Sequence, residues 1–151
     1  MILALQRDMN GHKLISKIVP FFIQLWTRSQ YFHSALVVDG YILQATTQGV
    51  SKNPFVFDNS NYDYFNIPCS KESEQRVMDY MQGEIGCEYD WKGIFLSQII
   101  PFSREDPEKW FCSELTTKLL QIAEIKEVEG CVPCTMSPGD ILKVLDLKIL
   151  G

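Results

Sequence analysis

Residues 31–46 read YFHSALVVDGYILQAT, and this segment determines how the chain folds. Two runs rich in aromatic and aliphatic residues flank the dipeptide Asp39-Gly40. Apolar runs joined by Asp-Gly are the strongest short-range signal of a β-hairpin with a type I′ turn. The sequence therefore predicts two antiparallel strands, the first ending at Val38 and the second beginning at Tyr41.

The predicted hairpin fixes which side chains lie next to each other. With a two-residue turn, Val38 faces Tyr41, and counting outward Ala35 faces Gln44. Because side chains alternate between the two faces of a strand, His33 shares a face with Gln44 and is its diagonal neighbour, with backbones ~7–8 Å apart. An amide at that distance can hydrogen-bond an imidazole and hold its tautomer, which is the orienting contact that a catalytic base needs.

A second informative stretch, residues 110–120, reads WFCSELTTKLL. Apolar residues recur behind the cysteine at helical spacing, namely Leu115, Leu119 and Ile122. Cys112 is therefore predicted at the N-terminus of a helix, where the backbone dipole and unpaired N–H groups favour the nucleophilic thiolate. His33 is the candidate base, because a cysteine and a histidine far apart in sequence can meet in a fold.

Local signals predict the remaining elements. We expect strands near residues 55–57 and 62–67, helices over residues 12–27, 71–85, 93–100 and 112–124, and a short last helix. Ser70 is the predicted N-cap of the helix at 71–85, and Gly86 fits its C-terminal end. In the last helix, Ser137 is the predicted N-cap and Pro138 takes the first position. This order predicts an α+β domain with an antiparallel sheet packed against helices.

Length and composition limit the class of protein. The 151 residues suit one domain that spans residues 1–151. Hydrophobic residues make up 46% and charged residues 22%, a balance that argues against disorder. With a formal net charge of -5, the chain lacks the excess of basic residues that is typical of a nucleic-acid-binding protein, so we expect no nucleic-acid partner.

The apolar segments are too short or too interrupted for membrane insertion. The first residues are too polar for a secretory signal. The longest apolar run, residues 14–26, is broken by Lys17 and Pro20 and is shorter than the ~20 residues that span a bilayer. We therefore expect no transmembrane span and a cytoplasmic location, where the five cysteines stay reduced. The sequence specifies no oligomeric state.

Cys131 and Cys134 form a C-x-x-C pair that leaves a different class of function open. Two cysteines at this spacing are typical of half of a zinc site. The second half of a four-ligand site is missing, since Cys69 and Cys87 stand alone in the sequence. A redox reading is also open, although such a pair usually begins a helix, whereas Pro133 lies in a turn-rich stretch.

Four segments in order resemble a known group. Residues 26–50 (WTRSQYFHSALVVDGYILQATTQGV) are similar to the histidine region of the circularly permuted NlpC-type papain-like superfamily, in its YaeF-like and YiiX-like branch. Residues 86–91 (GCEYDW) resemble its Tyr-Asp element, residues 110–120 its cysteine motif, and residues 137–140 (SPGD) its closing element. The resemblance covers roughly residues 15–142.

The resemblance implies a permuted papain-like fold in which the histidine precedes the cysteine. It implies that Cys112 is the nucleophile, His33 the general base and Gln44 the third polar residue, where the group more commonly has an acid. Tyr89 matches a tyrosine that lies beside the nucleophile and helps to bind the oxyanion. The resemblance implies no cofactor and no metal.

These residues predict a cysteine hydrolase acting on an amide bond, a peptidase or amidase that works through a thioester acyl-enzyme. The substrate would be a peptide or a cell-wall peptide. A lipid acyl hydrolase or acyltransferase with the same site is an alternative, because the group is related to lecithin:retinol acyltransferase-like proteins. A catalytically silent binding domain is a second alternative, because an amide at position 44 stabilises an imidazolium less than a carboxylate does.

Overall fold

The computed structural model describes residues 1–7, 29–89 and 109–147. These residues form an α+β structure with one five-stranded antiparallel sheet and three α-helices. The strands are β1 (Ile2–Gln6), β2 (His33–Val38), β3 (Tyr41–Thr46), β4 (Gly49–Pro54), β5 (Tyr62–Asn66), β6 (Glu88–Tyr89) and β7 (Lys109–Trp110); the helices are α1 (Lys71–Glu84), α2 (Cys112–Ile122) and α3 (Pro138–Leu145). The large sheet has the order β4-β3-β2-β1-β5, and β6 pairs with β7 in a separate parallel ribbon.

The predicted hairpin is present as β2 and β3. Asp39 and Gly40 have φ angles of 49° and 78°, and positive φ at both positions is what a type I′ turn requires. The ladder pairs Val38 with Tyr41, as predicted, and continues to Leu36 with Leu43. The expected pairing of Ala35 with Gln44 is wrong, because the β2–β3 ladder ends at Leu36 while β2 remains paired to β1 as far as His33.

Helix α2 packs on one face of the sheet and forms the main core with it. Leu36 and Leu43 from the sheet and Leu115 and Leu119 from the helix are all 0–1% exposed. The opposite sheet face carries a smaller cluster around Ala4, Ala35, Val37 and Tyr64. The leucines that predicted α2 face the sheet, and the buried residues of the helix extend beyond them to the whole run from Cys112 to Thr117.

The other two helices begin where the sequence predicted, and α1 also ends close to the predicted residue. Ser70 is the N-cap of α1, and its hydroxyl accepts the backbone N–H of Ser73. Gly86 follows the helix with a φ of 92°, a left-handed conformation that glycine adopts without strain. Ser137 is the N-cap of α3, and Ser137 and Asp140 cap each other reciprocally.

The structure differs from the sequence-based expectations in two strands, and two expected helices lie outside it. The segment at 55–57 is not a strand; the fourth strand is the more polar segment Gly49–Pro54, which pairs with β3 directly after a tight turn. The first strand, Ile2–Gln6, was not expected at all. The helices expected at residues 12–27 and 93–100 lie outside the described residues.

Candidate active site

Cys112 is the first residue of α2, as the sequence predicted, and it is 5% exposed. Phe111 precedes it as the N-cap in extended conformation and, among the described residues, no side chain caps this helix start. The N–H groups of the first turn therefore remain directed at the region around the sulfur. The backbone N–H groups of Ser113 and of Ser34, on β2, donate to that sulfur.

His33 is the first residue of β2 and is half-buried. Its Nε2 lies 3.0 Å from Oε1 of Gln44 on β3. Because an amide oxygen can only accept a hydrogen bond, Nε2 carries the proton and donates it to Gln44. This leaves the other ring nitrogen, Nδ1, not engaged by Gln44, and a hydrogen bond between the ring and the Cys112 side chain contributes to the pKa shifts of both groups.

Burial and pairing act in opposite directions on the charges of these two side chains. Burial alone would raise the pKa of the Cys112 thiol, but the hydrogen bond to His33, the imidazolium charge and the two backbone N–H groups outweigh it, so the pKa is lowered. Burial alone would lower the pKa of His33, but its contacts with Cys112 and then Gln44 outweigh it, so the pKa is raised. Both shifts favour a thiolate beside an imidazolium.

The structure thus brings Cys112, His33 and Gln44 together, with His33 in the middle. Tyr89, the fourth predicted site residue, lies in β6, where its backbone pairs with Trp110, two positions before Cys112. The Tyr89 side chain is outside what the structure describes. The backbone of β6 is therefore adjacent to the start of α2, as a contribution from this segment to the site would require.

Two residues on neighbouring strands lie beside His33 and were missed from the sequence. Gln6 pairs with both His33 and Tyr62, which places the three side chains on one face. The Tyr62 hydroxyl donates to Gln6 Oε1 at 3.1 Å. Burial, followed by the charges of Tyr64, Asp58 and Cys112, raises the pKa of Tyr62 to about 12, so its phenol stays protonated at neutral pH. The sequence could not reveal that Gln6 and Tyr62 lie beside His33, because their placement depends on β1, which was not predicted.

Cys131 and Cys134 lie in the turn-rich stretch between α2 and α3, near a 3₁₀ turn at Pro133–Thr135. Within residues 1–7, 29–89 and 109–147, no three His, Cys, Asp or Glu side chains come together as a metal-binding group. All five cysteines belong to these ranges, and no disulfide joins any of them. In the same ranges, no helix has the length and apolar character needed to cross a bilayer.

No protein-family model matches the chain, and no curated protein matches it.

Proposed function

We propose that the chain is a cysteine hydrolase that cleaves amide bonds, a peptidase or amidase with a circularly permuted papain-like fold. The observation that carries the proposal is the His33 ring, whose Nε2 lies 3.0 Å from Gln44 Oε1 and whose pKa is raised, against the effect of burial, by its contact with Cys112. A nucleophile, a base within hydrogen-bonding reach and a third group that orients the base are the parts that covalent acyl transfer needs.

The proposed reaction has two steps. In the first, the free nitrogen of His33 takes the Cys112 proton, the sulfur attacks the amide carbonyl carbon, and the imidazolium returns the proton to the leaving amine as the C–N bond breaks. In the second, His33 takes a proton from water, the hydroxide attacks the thioester, and the thiolate leaves as the C–S bond breaks. The products are an amine and a carboxylic acid, and the Cys112 thiolate is restored beside the His33 imidazolium.

The start of α2 would stabilise the negative oxygen that forms during each attack. The N–H of Cys112 belongs to the first turn of the helix, where no intrahelical partner exists. A donor fixed in this way is worth about 100-fold to 1,000-fold in kcat in known oxyanion holes. The helix dipole adds to the effect because the developing charge lies at its positive end.

A lipid or other acyl ester is the second candidate substrate class, and one observation favours it. Val56 and Phe57 are 81% and 61% exposed, and Phe57 packs against Tyr64, which stacks on Tyr62. Because the Tyr62 hydroxyl bonds Gln6, which pairs with His33, a row of aromatic rings leads from an exposed apolar tip toward His33. Such a row would suit an acyl chain.

An acylation experiment tests the proposal without knowledge of the natural substrate. The protein is treated with p-nitrophenyl acetate at neutral pH, and the acylated residue is identified by intact mass and peptide mapping. We expect acetyl transfer to Cys112, no transfer in Cys112→Ala, and a loss of at least about 100-fold in rate in His33→Ala, because that variant lacks the general base. Cys131→Ala is the matched control and should acylate like the wild type.

The same proteins distinguish the alternatives. If wild-type Cys112 reacts with iodoacetamide no faster than a model thiol, the activated nucleophile is refuted and a silent binding domain remains. If long-chain esters turn over faster than peptide amides and Phe57→Ser removes the difference, the acyl hydrolase is favoured.

A further inference from the structure

Two buried hydroxyl groups link the histidine strand to the nucleophile helix. Ser34 on β2 and Thr116 on α2 are 0% and 1% exposed, and their hydroxyl oxygens are 3.0 Å apart. Thr116 Oγ1 also lies 2.8 Å from the carbonyl oxygen of Cys112. Because a carbonyl only accepts, Thr116 donates to Cys112 and must accept from Ser34, so the chain of donors runs from Ser34 through Thr116 to Cys112.

The link lies where the hairpin separates. Residues 36 and 38 of β2 direct their backbone groups to β3, so by alternation Ser34 directs its N–H to the same edge. No ladder pair with β3 forms at Ser34; the first residue of α2 lies there instead, with the sulfur of Cys112 4.0 Å from the carbonyl oxygen of Phe32. The edge of β2 that β3 leaves open is therefore occupied by the start of α2.

From this geometry we infer that Ser34 and Thr116 are positioning residues that hold Cys112 in hydrogen-bonding register with His33. The inference rests on the proposed function. Ser34 follows His33 directly and Thr116 lies one helical turn after Cys112, so their bond joins the two backbones that carry the base and the nucleophile. Catalytic groups need placement within about 0.5 Å, and a buried hydrogen-bond chain next to the reacting atoms supplies such a restraint.

Thr117 offers a matched control within the same helix turn. Its hydroxyl donates to the carbonyl oxygen of Ser113 at 2.8 Å, and the residue is 0% exposed. Thr116→Val and Thr117→Val each remove one buried hydroxyl that donates to the carbonyl four residues earlier. They differ in that the Thr116 hydroxyl also joins the helix to Ser34 on β2.

The test is a pH titration of the Cys112 thiolate by its ultraviolet absorbance, measured as the difference from Cys112→Ser in the same background. We expect Thr116→Val and Ser34→Ala to raise the titration midpoint by about one pH unit, which is a tenfold smaller thiolate fraction below the midpoint. Thr117→Val should keep the wild-type midpoint because it retains the hydrogen bond between Thr116 and Ser34. Thr116→Ser should do the same because it retains a hydroxyl at position 116. The double variant of Ser34 and Thr116 should match the larger single effect, because both changes break one chain.

Each outcome decides one question. An unchanged midpoint in Thr116→Val, or an equal rise in Thr117→Val, overturns the positioning role; if Thr116→Val fails to fold, Ser34→Ala decides in its place. A wild-type midpoint in the ordinary range for a free thiol overturns the proposed function instead, and that result is visible before any variant is made.

Discussion

Replacing Gln44 with glutamate should raise the pKa of His33 further and extend the thiolate–imidazolium state to higher pH. The amide oxygen lies 3.0 Å from His33 Nε2, and glutamate would place a negative charge at nearly the same point. At that distance two unit charges attract by about 1.4 kcal/mol in water and about 5.5 kcal/mol at an effective dielectric constant of 20. These limits correspond to about one to four pKa units.

The expected rise in the pKa of His33 is about one to two units, toward the lower limit, because His33 and Gln44 are only partly buried and water screens their interaction. The Cys112 thiol should change little in pKa, since the new carboxylate would lie across the imidazole ring from the sulfur. In the pH profile of Cys112 alkylation, the alkaline limb, where the imidazolium loses its proton, should therefore move to higher pH. The acid limb, where the thiolate forms, should stay in place.

The assay is an NMR titration of the imidazole ring protons together with the pH dependence of Cys112 alkylation. The chain has two histidines, so His12→Gln assigns the two signals. Gln48→Glu, an exposed substitution in the β3–β4 turn, is the control for net charge and should leave His33 unchanged. A His33 pKa in Gln44→Glu that equals or falls below the wild-type value would refute the contact between these side chains.

Stability measurements check the packing and the helix ends by chemical denaturation. Gly49→Ala should destabilise the fold by about 1–3 kcal/mol, because the φ of Gly49 is +100° and a Cβ there would meet a backbone carbonyl at 2.7 Å. Gly83→Ala in α1 is the control: a Cβ there meets nothing within 4 Å, and the change should stabilise the fold by about 0.5–1 kcal/mol. Equal effects of the two changes would contradict this account. Ser137→Ala should cost about 1 kcal/mol through the lost N-cap of α3. Burial alone would raise the pKa of Asp140, but its bond to Ser137 and other contacts lower it. The stability that the Asp140 carboxylate contributes is therefore present above the ordinary Asp pKa and is lost as pH falls through the folded-state value. A Ser137→Ala effect that persists fully at low pH would argue against the capping box. Leu119→Ala should cost about 2–5 kcal/mol as a fully buried leucine, and a loss below 1 kcal/mol would place α2 elsewhere.

The parts of the fold that the sequence predicted are those determined by neighbouring residues. The β2–β3 turn depends on Asp39-Gly40, and the helix ends depend on Ser70, Gly86 and Ser137, each acting within a few residues. The contact of His33 with Gln44 belongs to the same class, because a hairpin register is local. Its backbone pairing was nevertheless wrong beyond Leu36, since the geometry there depends on α2.

The parts that the sequence did not predict depend on distant partners. Residues 2–6, ILALQ, lack alternation and are rich in helix formers, yet they form a strand because β2 and β5 pair with both edges. The segment 49–54, GVSKNP, looks too polar for a strand, but at the edge of a sheet polar side chains and a terminal Pro54 are tolerated. The apolar segment 55–57 was mistaken for this strand because its aromatic residues pack on Tyr64 rather than in a ladder.

The proximity of Cys112 to His33 follows from these non-local pairings. Beyond Leu36 the start of β2 has lost β3 as a partner, and an unpaired edge strand would not hold His33 in place. β1 restrains this part of β2 on one side, where Gln6 pairs with His33, and α2 restrains it on the other through Ser34. β1, which the sequence did not predict, thus allows the hairpin to open for Cys112 while His33 stays fixed. A break in local regularity at this point is where a functional site is expected.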